Sequence, residues 1–139
     1  MVNTEKMINE LNNNSLYRTL GIRVETALDG KARSRLTPPQ DVCWPFPGQP
    51  HGGILFTFMD TTMAWSVISR LDSGYNCTTV NLNIHYTHPA KGDEFTCSAW
   101  ITHQTGRTCF VRADIHDNQE RLLAMGQATF RIIQTALTP

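Results

Sequence analysis

Nothing in this 139-residue chain is apolar for long enough to cross a bilayer, since its longest apolar stretch is interrupted by Asp60, Thr61 and Thr62 and a spanning helix needs about 18 or more such residues in a row. An excess of either charge is missing too. Twelve Lys+Arg balance twelve Asp+Glu for a net charge of +0, so no overall field draws the chain toward nucleic acid or a membrane, and neither is expected as a partner. The N-terminal stretch lacks the continuous apolar segment of an export signal and carries Glu5, Lys6, Glu10 and the run Asn12 to Asn14 instead, which predicts a cytoplasmic protein. Cysteine is sparse, with Cys43, Cys77, Cys97 and Cys109 in no CxxC spacing. A chain of this length can build a core without staples, so the four are read as free thiols. Repeats and interdomain linkers are absent as well. With 40% hydrophobic and 17% charged residues, the composition is that of one packed domain over residues 1–139.

Periodicity organises that domain. Across residues 1–20, Met7, Ile8, Leu11, Leu16 and Leu20 recur at interrupted helical spacing, predicting a leading helical segment in one or two pieces that Gly21 ends. From Ile22 to Leu36 two short runs flank Asp29-Gly30, a dipeptide suited to a tight hairpin because both residues tolerate positive φ. Residues 37–50 hold five of the seven prolines and are read as a loop without helix or central strand. Residues 51–71 contain no proline and are apolar on nearly every side when wound as a helix. Such a helix needs to be surrounded.

Beyond Gly74 the chain reads as strands. Val80, Leu82, Ile84 and Tyr86 alternate with Thr79, Asn81, Asn83 and His85, which puts the first set on a core face and Thr79 on the polar one. Phe95 to Ile101 and Cys109 to Ile115 alternate likewise, and pairing odd with odd asks for a three-residue turn of Thr105, Gly106 and Arg107. A last strand turns Leu122, Ala124, Ala128 and Phe130 inward, with Gly126 marking a close approach or bulge. The sum is an α+β fold in which an antiparallel sheet curls around one central helix.

Asp60 is the chemical anomaly. Its helical neighbours at i−4, i+3, i+4 and i+7 are Phe56, Met63, Ala64 and Val67, and an unpaired buried carboxylate costs several kcal/mol, so it requires a partner, a raised pKa or a wet cleft. Upstream, His51-Gly52-Gly53 places unsatisfied amides beside two residues without Cβ at the helix start, where a carbonyl oxygen can approach and find developing negative charge stabilised. A metal is not expected: His85 and His88 are three apart on a strand and point to opposite faces. Lys91, Arg107 and Arg131 are single surface cations, candidates for phosphate contacts.

HGGILFTFMD, YTHPAKGDEF and HQTGRT together resemble the signature of the hotdog-fold acyl-CoA thioesterases of the phenylacetate-pathway, PaaI-like type, over most of the chain. The resemblance implies a hotdog fold, with the HGG motif opening its central helix. It implies that Asp60 is the catalytic carboxylate, as general base or nucleophile, that the Gly52 N–H polarises the thioester carbonyl, and that the Thr79 hydroxyl helps position water. One departure is Pro45, where the family commonly has Asn; Gln49 is the candidate substitute. His51, Gly53, Phe56 and Arg107 complete the candidate substrate contacts, and Phe46, Phe56, Phe58, Met59 and Trp65 are candidates for an acyl pocket, aromatic or medium-chain. Coenzyme A enters as part of the substrate, so no cofactor is expected. The resemblance further implies a homodimer or a dimer-of-dimers tetramer with its site between subunits. Two alternatives stand beside hydrolysis: an acyl-CoA binding or sensing hotdog without turnover, and a hydroxyacyl thioester dehydratase, to which FPGQP bears a faint likeness.

Overall fold

The structure is a computed structural model that describes residues 3–135. Helices α1 (Thr4–Leu11) and α2 (Ser15–Leu20) divide the leading segment in two because each has its own asparagine cap: Asn3 accepts from the Lys6 N–H and Asn14 from the Tyr17 N–H. Gly21 closes α2 at φ +80°, a left-handed conformation that a Cβ resists. Between the two helices, Asn12 turns its amide onto the next strand, donating to the Val24 carbonyl and accepting from the Val24 N–H, both at 2.9 Å. That side chain substitutes for a neighbouring strand.

Strands β1 (Ile22–Leu28) and β2 (Lys31–Leu36) form the expected hairpin, with Asp29 at φ +49° and Gly30 at φ +81°. The proline-rich segment departs from expectation in containing a one-turn helix, α3 (Gln40–Cys43). Its prolines flank the turn rather than occupy it: Pro39 is the cap, and its carbonyl accepts from the Val42 and Cys43 N–H groups, so no missing amide is needed inside. The central helix, α4, runs Gly52–Ile68 with His51 as its cap. Strands β3 (Tyr75–Tyr86), β4 (Phe95–Thr105), β5 (Thr108–Asp117) and β6 (Leu122–Gln134) complete one antiparallel sheet in the order β1-β2-β4-β5-β6-β3. This is the α+β hotdog arrangement, a sheet packed around a helix.

Leu55, Phe58, Met59, Met63 and Val67 of α4 bury against Phe95, Cys97, Val111, Ile115 and Phe130 of the sheet, while Trp65 joins Ile8, Val24, Ala27 and Ala32 beneath α1. Gly126 makes its close approach as expected: a Cβ there would strike the Met59 sulfur and lie 2.9 Å from the Asn83 carbonyl oxygen. The four thiols are free. Burial pushes those of Cys77 and Cys97 up to about 12, far from the range of a nucleophilic thiolate. Among the described residues no helix is long and apolar enough to cross a membrane.

Three register details differ from the alternation read in the sequence, each through a bulge. Pairing between β4 and β5 slips after Ile101, so Thr105 faces Thr108 and the turn is Gly106-Arg107 instead of three residues. Gly106 still carries the positive φ, +57°. A slip between β5 and β6 buries Leu123 where Leu122 was expected. The third lies in β3, where Thr79 pairs with Phe130 and Asn81 with Thr129. Val80 is the extra residue and stands 63% exposed. Inward-facing positions therefore change parity across it, from Cys77 and Thr79 on one side to Leu82 and Ile84 on the other.

Candidate active site

One chain does not surround α4. Gly53 and Phe56 are exposed, and Thr57, Asp60, Thr61 and Ala64 are half-buried, so an open stripe runs along the helix with Asp60 at its centre. The bulge at Val80 brings Thr79 onto this stripe, against the expectation that it faces away. Its hydroxyl donates to Asp60 Oδ1 at 2.7 Å. The carboxylate thus has a partner and an open side, and it is no longer an anomaly.

At the helix start the geometry is specific. The His51 N–H donates to the Cys43 carbonyl at 2.8 Å, tying α4 to α3. His51 Nδ1 accepts the Gly53 N–H at 2.8 Å, which fixes Nδ1 as the bare nitrogen of the ring and makes His51 a cap rather than a free ligand. Among the described residues no acceptor takes the Gly52 N–H, the first amide of the helix. Tyr86, at the end of β3, donates its hydroxyl to the Gly52 carbonyl at 2.7 Å, and burial raises its pKa, so it stays a donor.

A cleft of about 390 Å³ opens beside this amide, lined by Gln49, Gly52 and Leu55 and by Tyr86 and His88 from across it. Gln49 is thus one wall of the cleft at the helix start. It is brought there by a tight turn in which Phe46 bridges Gln49 and Gly48 takes φ +113°. Pro45 itself offers no donor. Tyr86 was not singled out from the sequence as a site residue, although it is the aromatic that opens YTHPA.

Other candidates fall elsewhere. Phe58, Met59 and Trp65 are at most 1% exposed, which removes them from any acyl pocket, whereas Phe46 and Phe56 remain accessible. Arg107 caps the hairpin at the end of the sheet where Thr108 pairs with Arg131 and Arg131 with Thr78, about 26 Å along β3 from Tyr86 at strand rise. It does not reach the cleft at Gly52 of its own chain. Among the described residues no three His, Cys, Asp or Glu side chains gather as a metal would require. Asp60 and Gly52 are also apart: eight residues of helix separate them by about 12 Å.

Comparison with known proteins gives a consistent picture. The family model of the thioesterase superfamily matches residues 48–124. A provisionally named esterase of Halobacterium salinarum is 30% identical over 135 residues, covering 89% of this chain and 88% of its own. Among solved structures, the Escherichia coli PaaI protein from the phenylacetic acid degradation operon superposes with a TM-score of 0.83 at 23% identity, covering 97% of this chain and 96% of that one. A hypothetical thioesterase from Streptococcus pneumoniae, solved with coenzyme A, gives 0.77 at 23% identity over 93% and 99%.

Proposed function

The chain belongs to the thioesterase superfamily, and from that premise we propose that it hydrolyses acyl-coenzyme A thioesters at a site shared by two subunits. The observation that carries the reading is the Thr79–Asp60 hydrogen bond on the open face of α4. Thr79 occupies one carboxylate oxygen and fixes its plane. The other is left to take a proton from water as that water attacks the thioester carbon. Charge then gathers on the carbonyl oxygen, where the bare Gly52 N–H at a helix start is suited to hold it. As the C–S bond breaks, the sulfur leaves with the electron pair and recovers the proton from Asp60. Direct attack by Asp60, through an acyl anhydride that water then opens, uses the same groups.

Both groups must lie within about 3 Å of the reacting centre. One chain's own Asp60 and Gly52 cannot do so from about 12 Å apart on a straight helix, so the donor is the partner subunit's Gly52. Coenzyme A accompanying the Streptococcus pneumoniae relative supports that leaving group. Pro45 favours a second reading, acyl-CoA binding without turnover, because the chain lacks the amide expected there.

Thiol release measured over aryl, medium-chain and 3-hydroxyacyl coenzyme A thioesters tests the reading. Hydrolysis of one class or more, abolished with Asp60, is the expected result. Binding without thiol release would favour the second reading, and conversion of the 3-hydroxyacyl substrate to its enoyl product would establish a dehydratase.

A further inference from the structure

The peptide joining Gly52 and Gly53 is gripped at both polar ends. Its carbonyl accepts the Tyr86 hydroxyl at 2.7 Å, and its N–H donates to His51 Nδ1 at 2.8 Å. The carbonyl bond is not required to wind the helix, since a first-turn carbonyl already has the amide four residues on as its donor, and the His51 bond caps a first-turn amide that no helical carbonyl reaches. Two adjacent glycines are, however, the residues least able to hold a direction unaided. The Tyr86 ring adds a wall, with its Cζ and hydroxyl 3.4 Å from where a Cβ on Gly52 would stand. Tyr86 and Gly52 both line the cleft at the helix start.

We propose that Tyr86 is a positioning residue: together with His51 it clamps the Gly52–Gly53 peptide and so aims the adjoining Gly52 N–H at the substrate carbonyl. The inference deepens the hydrolase reading and rests on it for its catalytic consequence. A donor held in place before the reaction needs no reorganisation as charge develops, so the clamp acts on turnover rather than on substrate affinity.

Tyr86→Phe keeps the ring and removes the bond. It is expected to lower kcat about tenfold with KM within about twofold. His51→Ala should behave alike, and His51→Asn, which restores an acceptor at the cap, should recover most of the loss. Because one released end already frees the peptide, the double variant Tyr86→Phe with His51→Ala should lose far less than the product of the two single effects. Wild-type kcat in Tyr86→Phe, or single losses that multiply in the double variant, would overturn the clamp. Amide hydrogen exchange at Gly53, followed by NMR without substrate, reads the grip whether or not the chain hydrolyses anything. Tyr86→Phe should accelerate it at least about fivefold, and unchanged exchange also overturns the proposal. Failure of hydrolysis in wild-type protein that still shows this acceleration would instead count against the hydrolase reading alone.

Discussion

In the proposed hydrolysis a carboxylate with a hydroxyl 2.7 Å from one oxygen is oriented by that hydroxyl but supplies the basicity itself, which predicts unequal losses when each is removed. Asp60→Asn preserves shape and removes the base, so turnover should fall at least about a hundredfold. Thr79→Val leaves the base but not its orientation, and a loss of about tenfold is expected. Thiol-release kinetics on both variants, with circular dichroism to show that each is folded, checks the order. If Thr79→Val proved the more damaging, Asp60 would not be the proton acceptor. Gly126 presents the opposite case, a residue whose value is its lack of a side chain. A Cβ there meets the Met59 sulfur and, 2.9 Å away, the Asn83 carbonyl oxygen. Met59 can move aside, but the carbonyl belongs to the paired strand and cannot. Gly126→Ala should therefore cost about 1–3 kcal/mol, read as a lower midpoint in denaturant at unchanged slope.

Secondary elements differ in how openly the sequence declares them. The central helix was legible because seventeen residues without proline, Gly52 to Ile68, carry apolar side chains on nearly every face, and Asp29-Gly30 declared its hairpin through the two positive φ values it adopts. Asp60 and the His51-Gly52-Gly53 turn were legible for the same local reason. The bulges were not, because an inserted strand residue has no side-chain signature; its cause is the neighbouring strand. Thr79 was thus expected on the wrong face, and Tyr86, whose role depends on a glycine 34 residues away, was passed over. The β3 bulge makes its own prediction. Deleting Val80 joins Thr79 to Asn81 in regular pairing and leaves Cys77, Thr79, Leu82 and Ile84 facing inward. Deleting Thr78 instead closes the bulge with Val80 inward opposite Phe130 and Thr79 outward opposite Arg131, while Cys77 keeps its place opposite Ile132. The first deletion keeps the Thr79–Asp60 bond and the second loses it, so both proteins should fold and the second should turn over about tenfold more slowly, which thiol-release kinetics on the two checks.

At the scale of the molecule, two unfinished features lie together. The β1 edge of the sheet is occupied by α1 and by the Asn12 amide, whereas β3 ends the sheet on the other side. Its segment Tyr75–Tyr86 contains no Lys, Arg, Asp, Glu or Pro, so apart from the bulge at Val80 it carries neither the charge nor the proline that keeps an edge from pairing. Beside it runs the open stripe of α4 with Asp60. A second copy that pairs along β3 would cover both at once, and two-fold symmetry would repeat each contact. The arrangement makes a prediction that a site within one chain cannot satisfy. Gly52→Pro deletes the amide hydrogen at the first helical position, where proline is well tolerated, and His51 at ψ 137° already has the extended backbone that a following proline demands. Such chains should fold and be inactive, as should Asp60→Asn chains. Mixed in equal amounts and allowed to exchange, half of the dimers pair the two variants. Each mixed dimer then joins one intact Asp60 to one intact Gly52, so roughly a quarter of wild-type turnover returns by random pairing. Sedimentation checks that dimers form. No recovery from freely exchanging dimers would place both groups of each site on a single chain.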